Sequence, residues 1–201
     1  MVRVAALVSG GGTNLQAMLD AQKAGRISSG TICLVVSSRS GVYALERAAQ
    51  NNVPAETLPR KQFASQEEFD RALLQVLERY QIDVIVLAGF LTILGPEVVR
   101  RYPNRILNVH PALIPSFCGK GFYGLKVHEA ALARGVKLTG ATVHLVNEEA
   151  DGGPILLQKA VEVLPDDTAE TLQLRVMEQA EWTLLPQAVE MVCRKEGPLP
   201  R

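Results

Sequence analysis

The sequence predicts an α/β protein of Rossmann-like, doubly wound type: a mostly parallel sheet with an antiparallel C-terminal edge. Three observations predict it. Residues 2–8 are an apolar run with no room for a polar face, 31–38 read as a second buried strand and 84–90 as a fully apolar one, as strands covered by helices on both sides do. Amphipathic segments alternate with these runs through the first half, which is the order of a parallel sheet wound by crossover helices. The runs at 138–146 and 155–163 are joined by too few residues for a crossover helix, so they pair as a hairpin at the sheet edge. No Pro/Gly/Ser-rich linker divides the chain, and residues 1–201 read as one domain.

The bulk properties narrow the class. The 201 residues are 47% hydrophobic and 21% charged, with a formal net charge of +0, an ordinary globular composition. That balance argues against a nucleic-acid coat or a polybasic membrane surface. Cys33, Cys118 and Cys193 are far apart and odd in number, so they form neither a disulfide framework nor a metal-ligand spacing. No metal is expected, and a reducing, cytoplasmic setting fits. The N-terminal apolar run is too short for a signal sequence, and no run approaches a membrane helix.

Taken in order, the first strand runs straight into Ser9-Gly10-Gly11-Gly12-Thr13-Asn14 and then an amphipathic helix beginning at Leu15. A glycine loop between strand and helix lets the main chain approach an anion and aims N–H groups and the positive helix end at it. Thr13 and Asn14 either cap the helix or touch the ligand. The later glycine of a dinucleotide fingerprint and the lysine of a P-loop are both absent. A helix over 43–52 follows, then a short strand at 53–58 that Pro54 assigns to an edge. Residues 66–80 form an amphipathic helix with Phe69, Leu73, Val76, Leu77 and Tyr80 on one face. The strand from Val84 ends in Gly89-Phe90-Leu91-Thr92-Ile93-Leu94, a loop with enough apolar weight either to wall a pocket or to pack under the helix over 96–102.

Residues 106–110 read Ile-Leu-Asn-Val-His and form a short buried strand that Pro111 ends. Asn108 and His110 are two apart, so they share one face, at the carboxyl end where open α/β sheets bind ligands. The loop at 116–124, rich in glycine and aromatics, reads as a mobile flap. A helix over 126–134, closed by Gly135, follows it. His128 on that helix and His144 on the strand at 138–146 read as structural. The acidic turn Asn147-Glu148-Glu149-Ala150-Asp151-Gly152-Gly153 carries an Asp that matters if it faces His110. A long helix is expected over 169–192, bent at Pro186, and the tail at 197–201 is expected to fray.

These residues point to direct acid–base chemistry. No nucleophile elbow occurs, and Cys118 has no obvious base partner. Asn108 offers an N–H to an oxyanion, and His110 exchanges protons near neutral pH. A carboxylate beside the imidazole would favour its charged form. Such a trio suits attack by an amine on a carbonyl-level carbon.

The segments 9–14 (SGGGTN), 86–94 (VLAGFLTIL), 108–115 (NVHPALIP) and 151–155 (DGGPI) together resemble the folate-dependent glycinamide ribonucleotide formyltransferases of purine biosynthesis. The resemblance runs in order through nearly the whole chain. It implies the formyltransferase fold, 10-formyltetrahydrofolate as co-substrate, glycinamide ribonucleotide as acceptor, and a monomer or homodimer. It assigns the nucleotide phosphate to Gly12, Thr13 and Asn14, catalysis to Asn108, His110 and Asp151, and the substrate amine to Glu181. The folate ring would lie on Leu91, Thr92, Ile93 and Leu94, facing Asn108 and the turn Asn147, Glu148, Glu149, Ala150 and Asp151. The resemblance also implies a cis Ile114–Pro115 bond. The chain departs from the family's pattern at Gln66, where some members carry a basic residue for folate, at Trp182, often His, and at Cys118, often Pro. Arg60 and Lys61 are possible substitutes for that basic residue. The rival readings are another formyl-folate enzyme, a hydrolase or one with a different amine acceptor, and a non-catalytic nucleotide-binding module.

Overall fold

The computed structural model describes residues 1–195, so the expected fraying at 197–201 lies outside the described residues. Seven strands form one sheet in the order β3-β2-β1-β4-β5-β6-β7. β1 (Val2–Val8), β2 (Gly30–Ser37), β3 (Ala55–Thr57), β4 (Val84–Leu87) and β5 (Ile106–His110) run parallel. β6 (Leu138–Leu145) and β7 (Ile155–Glu162) add the antiparallel edge that the short connection required. β3 is the opposite edge, as Pro54 indicated.

Helices cover both faces. α1 (Thr13–Lys23), α5 (Leu125–Arg134), α6 (Ala169–Val176) and α7 (Trp182–Cys193) bury one face with Val4, Ala6, Val8, Leu107 and Val109 of the sheet. α3 (Gln66–Arg79) and α4 (Pro96–Arg101) bury the other with Ala5, Leu7, Ile85 and Ile106. α2 (Tyr43–Gln50) packs beside α1, with Ala44 and Ala48 buried. Alternate residues of β1 thus serve two cores, which is why Val4 to Val8 include no polar residue. The strand order reverses beside β1, between β2 and β4, so the carboxyl ends of β1 and β4 open a crevice there.

The expected single C-terminal helix is interrupted, and not at Pro186. A π turn, Met177–Glu181, separates α6 from α7, and Pro186 lies inside α7. The widened turn comes just before the proline, where its ring would crowd the preceding turn and its missing N–H breaks the ladder. The Ile114–Pro115 bond is cis, as the resemblance implied. No helix among the described residues is long and apolar enough to cross a membrane.

Candidate active site

The glycine loop follows β1. Gly12 has φ 73°, in the left-handed region, and a Cβ there would fall 2.7 Å from that of Ala44. Conformation and the approach of α2 therefore both demand glycine. Gly12 is also the N-cap of α1, with no side chain capping the helix. Thr13 and Asn14 stand inside the first turn, which corrects the capping alternative and leaves that turn's N–H groups free for an anion. Arg47 of α2 donates from Nε to the Gly11 carbonyl at 2.9 Å and stacks over Tyr43, bracing the loop from outside. Asn14 turns inward instead. Its Nδ2 donates to Glu181 Oε2 at 2.6 Å, and its buried Oδ1 has no partner. Glu181 ends the π turn, and burial pushes its carboxyl up to about 7. Trp182 Nε1 beside it is also buried and unpartnered.

Ser9 ties this loop to the next. Its hydroxyl lies 2.6 Å from that of Ser38 and accepts the Leu91 N–H at 2.8 Å, while its own N–H donates to the Gly89 carbonyl. Leu91 is half exposed and Ile93 is 81% exposed, so the loop presents an apolar ledge with Thr92 and Leu94 half-buried behind it. Large apolar groups held that far into water suit a flat ligand. Asp70, 1% exposed, accepts the Gly95 N–H at 3.1 Å and the Gln66 amide at 2.7 Å, and Gln66 also donates to the Ile93 carbonyl. Gln66 therefore holds the ledge in place, and Arg60 donates to Gln66 Oε1 at 3.3 Å.

On β5, Asn108 and His110 share the face of Ile106, on the α3/α4 side, while Leu107 and Val109 point the other way. Antiparallel pairing sets His144 of β6 opposite Asn108, and Thr142 opposite His110. The turn between β6 and β7 folds over this face and delivers Asp151. Asp151 Oδ2 lies 3.7 Å from His110 Nδ1, and Asp151 Oδ1 lies 3.4 Å from Asn108 Nδ2 and 3.5 Å from His144 Nε2. The three expected residues do meet, and His144, read as structural, joins them. His128 stays apart from the cluster: it is fully buried with neither ring nitrogen bonded, and burial pushes it down to about 4.

The electrostatics differ from expectation in one respect. Burial holds His110 below the ordinary imidazole range and outweighs the Phe117 carbonyl and the Asp151 charge, which both pull upward. Burial thus favours the neutral imidazole over the charged one. Its Nε2 lies 2.8 Å from the Phe117 carbonyl, which can only accept, so the proton sits on Nε2 and Nδ1 is bare. Burial would raise Asp151, but hydrogen bonding, with the Gly119 N–H donating at 2.8 Å, brings it below the usual carboxylate value. Asp151 is therefore an anion across the working range.

The loop at 116–121 packs on the trio through main-chain atoms, Phe117 O on His110 and Gly119 N on Asp151. Burial and the nearby Asp151 push the Cys118 thiol up, and its Sγ donates to the Pro115 carbonyl, so it is no nucleophile. Across the site, Asn147, Glu148, Glu149 and Ala150 are exposed. Asn147 Oδ1 accepts the Glu149 N–H, and Glu148 pairs with Arg100 at 2.9 Å, so these side chains shape the turn that presents Asp151.

A model of the formyl transferase family matches residues 2–189. The chain belongs to this family. Phosphoribosylglycinamide formyltransferase of Haemophilus influenzae is 39% identical over 190 residues, covering 94% of this chain and 86% of that protein. The trifunctional purine biosynthetic protein adenosine-3 of chicken is 44% identical over 191 residues, and this chain spans 18% of its length. The solved structure of glycinamide ribonucleotide transformylase 1 from Symbiobacterium toebii superposes with a TM-score of 0.91 at 40% identity, covering 97% of this chain and 89% of that one. The formyl transferase fold thus accounts for the sheet order and for the position of the cluster. Three residues that touch the loop, the ledge or Asn108 escaped the sequence reading: Ser9, Asp70 and His144. Only His144 carried a usable signal, because a hairpin paired back onto β5 places some β6 side chain beside Asn108.

Proposed function

We propose that this chain transfers the formyl group of 10-formyltetrahydrofolate to the amino group of glycinamide ribonucleotide, a step of de novo purine biosynthesis. The observation that carries it is the convergence of Asn108, His110 and Asp151 between a glycine loop fit for phosphate and an apolar ledge fit for a pterin-like ring. The relatives named as phosphoribosylglycinamide formyltransferases support the same substrates. Gly12, Thr13 and the free N–H groups of the α1 N-terminus take the phosphate. Glu181 and the unpartnered Asn14 Oδ1 offer acceptors to the substrate amine. Leu91, Thr92, Ile93 and Leu94 hold the folate ring, and Arg60, anchored near the ledge, replaces the basic residue absent at position 66. Three free cysteines fit a reducing, cytoplasmic setting.

The amine nitrogen attacks the formyl carbon, forming a C–N bond as the carbonyl electrons move to oxygen. Asn108 donates an N–H to that oxyanion. Bare Nδ1 of neutral His110 accepts the proton that the attacking nitrogen must lose, and Asp151 stabilises the imidazolium formed. Collapse of the intermediate breaks the bond to the folate nitrogen, which takes the proton from His110. The test mixes the protein with both substrates and follows tetrahydrofolate-type absorbance. Asn108→Ala and His110→Ala each lower kcat by about 10² to 10³ while staying folded. Near-normal turnover in both, or release of formyl without the nucleotide, overturns the proposal, the latter in favour of a hydrolase.

A further inference from the structure

His144 is 2% exposed and lies beside Asn108 without reaching the open side of the site. Its Nδ1 is 3.0 Å from the Leu145 carbonyl. A carbonyl only accepts, so Nδ1 carries the proton and, in the neutral ring, Nε2 is a bare acceptor. That Nε2 is 3.1 Å from Asn108 Nδ2, while its 3.5 Å approach to Asp151 makes no hydrogen bond. One hydrogen of the Asn108 amide is therefore committed to His144. The other faces Asp151 Oδ1 across a long 3.4 Å and is free to turn to a stronger acceptor. With the amide reversed, its oxygen would face the bare Nε2 and the Asp151 carboxylate together, three acceptors with no hydrogen among them.

We propose that His144 is a positioning residue: held as the Nδ1–H tautomer by the Leu145 carbonyl, it accepts one N–H of Asn108 and so fixes the carboxamide with its second N–H facing the formyl oxygen. This rests on the formyl-transfer reading above, in which that N–H meets the oxyanion. His144 touches neither substrate and acts only through Asn108. The chain orients its oxyanion donor from the neighbouring strand, and the antiparallel partner of β5 is then part of the catalytic apparatus as well as of the sheet edge.

A kinetic double-mutant cycle tests this. His144→Phe keeps the bulk and removes the acceptor. It lowers kcat by about 10- to 100-fold, the scale of a misplaced catalytic group, with both KM values within about twofold of wild type. His144→Gln, whose amide oxygen can accept the same hydrogen, recovers most of the loss. In an Asn108→Ala background, His144→Phe costs less than about twofold further, because its only route of action is gone. If His144→Phe does not fold, His144→Leu runs the same cycle. An equal loss with and without Asn108, a rise in KM at unchanged kcat, or a Gln variant no better than Phe overturns the inference. Near-normal turnover of Asn108→Ala alone overturns the underlying formyl-transfer reading instead.

Discussion

Glu181 and Glu190 lie nine residues apart on one helical stretch, the first closing the π turn and the second inside α7. Both are buried, at 5% and 9% exposure, yet their carboxyls shift in opposite directions, to about 7 and about 2. Burial pushes both up. Glu181 has one neutral donor to set against it, the Asn14 amide. Glu190 has the N–H and hydroxyl groups of both Ser28 and Ser29, with Arg194 outside them. The difference follows the ends of the sheet. Ser28 and Ser29 precede β2 at its amino end, where their N–H and hydroxyl groups satisfy both oxygens of Glu190. Asn14 follows β1 at the carboxyl end, where an amide oxygen and an indole N–H are left without partners. A folded chain leaves few such groups, and these two belong to Asn14 and to the residue that follows Glu181.

The largest effect that can break this contrast is at Asp151. Its contacts go to His110, Asn108 and His144. In the proposed mechanism Asp151→Asn removes the charge that supports the imidazolium, and it should lower kcat by about 10² to 10⁴, measured under saturating substrates. Turnover within about threefold of wild type would show that His110 works unaided and that the carboxyl end is less specialised than its contacts suggest. Next comes Glu181. Its folded pKa of about 7 lies above its ordinary 4.5, so the folded state holds the proton more tightly. That contribution is complete below pH 4.5 and is lost as pH rises through 7, to the order of 3 kcal/mol. Glu181→Gln keeps an acceptor for Asn14 and cannot ionise. Its melting temperature should therefore gain on wild type from pH 5 to pH 8. A constant difference across that range would show that Glu181 is not protonated in the folded protein.

Much of the site was legible because its parts are local. Gly12 needs no partner to announce a left-handed turn after a strand, and Asn108 and His110 share a face by strand period alone. Asp151 could be named as a candidate but joined to His110 only through the family resemblance, since nothing local says where the 147–153 turn folds. The neighbour of His144 was hidden for the same reason: its place beside Asn108 is set by the register of β6 on β5, a non-local property. The balance of forces on His110 was not legible either, because sequence shows the neighbouring carboxylate and not the burial that opposes it. The break ahead of Pro186 lay beyond local rules too, since a π turn can take up the proline's demand a turn early.

The smallest effect tests the closed end. Glu190→Gln replaces two acceptor oxygens by one and turns an amide N–H₂ toward serine donors, which costs about 1–3 kcal/mol. It should lower the urea midpoint with an unchanged m-value. The pH dependence has the opposite sign to that of Glu181. The folded pKa of Glu190 is depressed to about 2, so its contribution is present above pH 4.5 and lost as pH falls toward 2. The stability gap between wild type and Glu190→Gln should therefore be widest at neutral pH and close on acidification. Turnover per folded molecule should not change, because no atom of this cluster reaches the glycine loop, the ledge or the trio. A fall in kcat with intact stability would mean that the amino end of the sheet communicates with the site through α7, whose opening turn follows Glu181 directly.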